Sequence, residues 1–171
     1  MILGDTKTFA IECYHEPLAS ERRDVFGRMC VWAGGHCLGD ITEPGCMLNV
    51  TEGKLQSLLK RMDSLEDPAL CDRADRDAFE FLDHALYLDN GQSFEQVQAD
   101  SCRFRKFDFL TNGGESFDRT KSFVIADGDR VRLLFKDDRR GFASAHIDRD
   151  IFVRTIQGFL AWVAEEGKNA V

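Results

Sequence analysis

Six cysteines and four histidines are the side chains of this sequence best suited to hold a metal ion or begin a covalent reaction. Cys30, His36, Cys37 and Cys46 form the densest group, and thiolates with an imidazole suit zinc. Structural zinc sites usually draw ligands from tight paired hooks, and no Cys-x-x-Cys is present. An extended segment at 36–41 would also point His36 and Cys37 to opposite faces. Ser144, His146 and Asp148 offer a nucleophile, a base and an acid at alternate positions. A triad needs the base reached from one side and the acid from the other, which three neighbours on one strand cannot provide. Asp148 is better placed to cap a helix. The pairs Asp127/Asp129 and Asp137/Asp138 fall where turns favour Asp for backbone reasons. Gly34-Gly35 reads as a hairpin turn and is too short to cradle a phosphate. No P-loop, dinucleotide fingerprint, HExxH pair or GxSxG elbow occurs. His15 and His84 share no helix face with another histidine. No catalytic residue, metal or cofactor is expected.

The elements that would carry these residues follow from apolar spacing. Residues 8–14 alternate, with Phe9, Ile11 and Cys13 on one face. Residues 25–33 are apolar on both faces, and the Gly-Gly turn leads into a second strand at 36–41. Thr51 is placed to cap a helix whose apolar positions are Leu55, Leu58, Leu59, Met62 and Leu65. A second helix spans about 73–88. Ala78, Phe81, Leu82 and Ala85 form its apolar face, and Arg76, Asp77, Glu80, Asp83, His84 and Tyr87 form a polar stripe opposite. Asp89-Asn90-Gly91 ends it. Residues 103–110 read as a strand presenting Arg105, Phe107 and Phe109. Residues 121–126 and 130–136 form a hairpin about Asp127-Gly128-Asp129, with Val131, Leu133 and Phe135 inward and Arg130, Arg132 and Lys136 outward. Residues 142–147 add a strand. A last helix buries Ile151, Phe152, Ile156, Phe159, Leu160 and Val163. Trp32 and Trp162 are expected in the core. The fold class is α+β: an antiparallel, meander-like sheet with about three helices packed mainly on one side. One domain covers residues 1–171.

The hydrophobic fraction of 43% and 14 Phe can build a sizeable core. No apolar run is long enough to span a membrane, and the first residues lack a signal peptide's basic start and apolar stretch. These features predict a cytoplasmic protein with free thiols and no membrane partner. The net charge is −8, and it is unevenly spread. Residues 62–100 hold eleven acids and two bases, whereas the rest of the chain is nearly balanced. Such a segment repels nucleic acid and attracts a basic partner.

Leu3-Gly4-Asp5, Phe9-Ala10-Ile11-Glu12, Phe26-Gly27-Arg28, Cys30-Val31-Trp32-Ala33-Gly34-Gly35 and Leu38-Gly39-Asp40, in that order, resemble the immunity protein 42 family of bacterial polymorphic toxin systems. The resemblance implies an antidote that binds and neutralises a cognate toxin C-terminal domain, without catalysis. Nuclease toxins carry basic clefts for phosphate backbones, and an acidic face would steer onto one. Asp72, Asp75, Asp77, Glu80, Asp83 and Tyr87 are therefore the candidate partner-binding residues. The competing readings are a non-toxin adaptor or chaperone and a small hydrolase.

Overall fold

The computed structural model describes residues 1–16, 24–88 and 91–169. Pro17 and the Asp89-Asn90 pair of the expected helix stop lie outside them. Among the described residues the chain forms two antiparallel sheets and five α-helices. The first sheet runs β1 (Ile2–Asp5), β2 (Phe9–His15), β3 (Phe26–Ala33) and β4 (His36–Leu38), with the short β5 (Cys46–Met47) also on β3. The second is a meander of β6 (Thr120–Asp127), β7 (Arg130–Asp137) and β8 (Gly141–Asp148). Gly34 and Gly35 both have positive φ, +58° and +80°. That is the backbone a two-residue β3–β4 turn demands and that only Gly adopts without strain.

α1 (Leu48–Arg61) and α5 (Arg149–Asn169) pack on the inner face of the first sheet. Leu48, Leu55, Leu58 and Met62 are buried at helical spacing, as are Phe152, Ile156, Phe159 and Val163. The rings of Phe9 and Phe152 lie 4.7 Å apart at the sheet–helix junction. Asp148 accepts hydrogen bonds from the amides of Asp150 and Ile151, 2.9 and 3.1 Å, and so caps the start of α5. Between α1 and the second sheet lie α2 (Pro68–Cys71), α3 (Asp75–Tyr87) and α4 (Phe94–Phe104).

Several expectations are corrected. The strands form two sheets rather than one. Helices cover both faces of the second: the β7 side chains Val131, Leu133 and Phe135 lie in the core, while Leu134 and Arg132 on the opposite face lie under α3 and α2. Arg132 is therefore buried, not outward. Residues 103–110 are not a strand. They close α4 and continue through a 3-10 turn at Arg105–Phe107, and only Asp108 bridges to Phe123 of β6. Thr51 is not a cap, because α1 already begins at Leu48; its hydroxyl donates to the Gly113 carbonyl at 2.5 Å. Trp162 packs against the core, but Trp32 lies half-buried on the outer face of the first sheet, away from it.

Candidate partner-binding face

α3 opens with Asp75, and this carboxylate is tied into the fold rather than presented to solvent. Its Oδ1 accepts from Arg132 Nε and Nη2 at 3.0 and 2.7 Å, and its Oδ2 faces His146 Nε2 at 3.0 Å. Arg132 is only 3% exposed. Its other donors reach the carbonyls of Leu70, Cys71 and Arg73 at 2.8–3.0 Å. One guanidinium thus fastens the α2–α3 corner to β7. Burial would raise the Asp75 carboxyl, but hydrogen bonds from Ser144, His146 and Arg132 outweigh it and hold it below the usual range.

Asp83 and Tyr87, about two and three turns further along, are also engaged. Lys121 donates to Asp83 at 2.5 Å and its ammonium lies 5.3 Å from the Tyr87 ring centre. The Tyr87 hydroxyl donates to the Asp108 carboxylate. Burial, and then this hydrogen bond, push the Tyr87 phenol well above its ordinary value. Burial also pushes the Asp108 carboxyl up.

Asp72, Asp77 and Glu80 remain. All three are exposed, and no cation among the described residues lies within 4.0 Å of them. The two bases of the segment are laid on aromatic rings instead, Arg73 over Phe81 at 4.5 Å and Arg76 over Phe142 at 4.9 Å. Asp77 also answers the positive end of the α3 dipole from its first turn. Beside this row, Arg76, Phe79, Glu80, Asp83, Lys136 and Phe142 line a cleft of about 310 Å³. The six candidates therefore divide into three that position α3 and three displayed at the α2–α3 corner, Asp72 at the end of α2 and Asp77 and Glu80 on α3.

The side chains that first suggested chemistry are drawn elsewhere. Ser144 and His146 both lean on Asp75, while Asp148 caps α5, so His146 is not set between Ser144 and Asp148. Asp137 accepts the turn amides of Arg139 and Arg140 at 2.8 and 3.0 Å. The strand register puts Cys30 and Cys37 together on the outer face of the first sheet and Cys46 on its inner face. His36 is exposed at the hairpin tip. Among the described residues no three His, Cys, Asp or Glu could hold a metal ion.

Two features of the fold escaped the sequence pattern. One is Arg132; its only signal was Leu134, an apolar residue of the same strand parity, which implies that the supposed outer face is covered. The other is the outer face of the first sheet. There the Glu12 carboxylate accepts from Trp32 Nε1 at 2.9 Å and from the Tyr14 hydroxyl at 2.7 Å.

Set against protein-family models, residues 1–162 match immunity protein 42. The chain belongs to the immunity protein 42 family. It is a toxin-neutralising immunity protein of the polymorphic toxin systems. None of the curated proteins matches it. Its fold is similar to the crystal structure of CdiI from Burkholderia dolosa AUO158, with a TM-score of 0.69 at 19% identity over 94% of this chain and 99% of that one. Among the described residues of this family member no helix is long and apolar enough to cross a membrane.

Proposed function

We propose that this immunity protein neutralises its toxin by binding alone, inside the producing cell, with the acidic corner of α2 and α3 set against a basic toxin surface. The observation that carries the reading is the division among the candidate acids. Asp75 and Asp83 are neutralised within the fold, whereas Asp72, Asp77 and Glu80 stand exposed with no cation among the described residues to compensate them. Uncompensated charge on a rigid helix steers a partner of opposite sign and sets its orientation. A nuclease toxin, whose cleft must be basic to hold a phosphate backbone, is the partner class this face fits best. Asp75, Asp83 and Tyr87 are positioning residues: they hold α3, which displays Asp77 and Glu80 beside Asp72 at the end of α2. Co-expression tests the reading. The cognate toxin domain should kill cells alone, and this chain should restore growth and co-purify with it at one to one. Survival without complex formation would overturn neutralisation by binding.

A second reading rests on the outer face of the first sheet. Tyr14 is 45% exposed and Ile2 50%, with Trp32 and Arg28 beside them on β3. Trp, Tyr and Arg dominate the energetic centres of protein interfaces. If this face holds the toxin, Trp32→Ala abolishes protection while lysine at 72, 77 and 80 leaves it intact.

A further inference from the structure

Between the second half of α1 and the 3-10 turn after α4 lies a cavity of about 370 Å³, lined among others by Lys54, Ser57, Arg61, Arg105, Lys106 and Asp108. In a chain of net charge −8, four cations and one acid converge there. The acid is already engaged: Asp108 accepts from the Tyr87 hydroxyl on one oxygen and from the Thr111 amide, at 3.2 Å, on the other. None of the four cations has a carboxylate among the described residues within 4.0 Å.

Three of them hold the fold through neutral atoms. Lys54 donates to the Thr111 carbonyl at 2.5 Å, and Lys106 to that of Ser64 at 2.7 Å. Arg61 donates to the carbonyls of Lys106 and Asp108, both at 2.9 Å, and to Ser57 Oγ at 3.1 Å. Carbonyls satisfy N–H groups but cancel no charge. Each lysine retains further donors, and the guanidinium of Arg105, on the exposed rim, makes no hydrogen bond among the described residues. Burial pulls both Lys54 and Arg61 below their ordinary values, so the cavity penalises its own positive charge. An anion would relieve that penalty. Two forked guanidiniums with two point charges suit phosphate oxygens, and a phosphate monoester carries about two negative charges where a carboxylate carries one.

We propose that this cavity binds a small phosphate-bearing anion, with Arg61 and Arg105 as forked donors and Lys54 and Lys106 as the balancing charges. The site is separate from the toxin-binding reading, and its test needs no toxin, so the two can fail independently. Inorganic phosphate, pyrophosphate and adenosine 5′-monophosphate are titrated into the isolated chain by calorimetry and by ¹H–¹⁵N NMR, with acetate at equal ionic strength as the control. Pyrophosphate or the nucleotide should bind with a Kd below roughly 1 mM and move the amides of 54–61 and 105–111. A response to the nucleotide but not to pyrophosphate identifies a phosphate ester as the ligand; the reverse identifies a free phosphate. Arg105→Gln and Lys106→Gln, both at the accessible side, should each weaken binding about tenfold. Arg103→Gln, an exposed cation outside the cavity, should not. Equal weak responses to acetate and phosphate, or equal affinity in Arg105→Gln, would overturn the proposal.

Discussion

Arg132→Met removes the guanidinium and keeps most of the aliphatic stem. In the native chain that group makes five hydrogen bonds, two to Asp75 and three to the carbonyls of Leu70, Cys71 and Arg73. Breaking a buried ion pair from one side costs about 3–5 kcal/mol, because the remaining charge is left without its partner. Asp75 keeps His146, and its side chain is 23% exposed, so water reaches part of it. That places the loss at the lower end, about 3 kcal/mol. For a chain of 171 residues this is roughly 6–12 °C in Tm. Guanidinium denaturation and calorimetry measure it. Arg132→Lys retains the charge but not the fork, and should lose about half as much. Hydrogen exchange should quicken across 70–80 in both variants, since the α2–α3 corner loses its anchor. A stability change under 1 kcal/mol for Arg132→Met, with exchange at 70–80 unaltered, would refute the placement of this hub.

Acid sensitivity follows from Asp75. Its carboxyl is lower in the folded chain than in the unfolded one, so it stabilises the fold above the unfolded value of about 3.9 and that contribution fades as pH falls through the folded value. Thermal midpoints of the native chain should therefore drop below about pH 4 more steeply than those of Asp75→Asn; parallel curves would contradict the assignment. Cys37 should be the most readily alkylated of the partly or fully buried thiols near neutral pH. The hydrogen bond from the Cys30 thiol and then the nearby Arg140 hold it down, whereas burial pushes Cys13 up to about 12. Peptide mapping after iodoacetamide treatment checks this, and labelling of Cys13 ahead of Cys37 would contradict it.

Much of this architecture is legible in residue spacing. Strand alternation locates β2 and the β6–β7 hairpin, and the period of Phe152, Ile156, Phe159 and Val163 locates α5. α4 escapes that reading because it has almost no apolar face. Phe94 is 77% exposed, and among its residues only Phe104 is fully buried. Its signal is local chemistry instead: Ser93 accepts from the Gln96 amide at 3.3 Å, with Gln96 at the third helical position of a capping pattern. The alternation of Arg105, Phe107 and Phe109 mimics a strand, yet Phe107 and Phe109 are buried from a 3-10 turn and the segment after it. Charge count finds the acidic segment but cannot tell a displayed carboxylate from an engaged one. Asp75 and Asp77 are two residues apart, and only tertiary contact with Arg132 separates their roles. The basic cavity is invisible in sequence for a similar reason, since Lys54 and Arg61 stand more than forty residues from Arg105.

The central claim is that displayed charge on α2 and α3 guides capture of a basic toxin. Stopped-flow association of the cognate toxin domain with the native chain and with the Asp72→Lys, Asp77→Lys, Glu80→Lys triple variant tests it most directly. The three sites are exposed, so the variant should fold with near-native stability. At low salt its association rate should fall by about 10–100-fold, and the difference should largely vanish at roughly 0.5 M salt. Equal association rates at low salt, with protection of cells unchanged, would contradict the account.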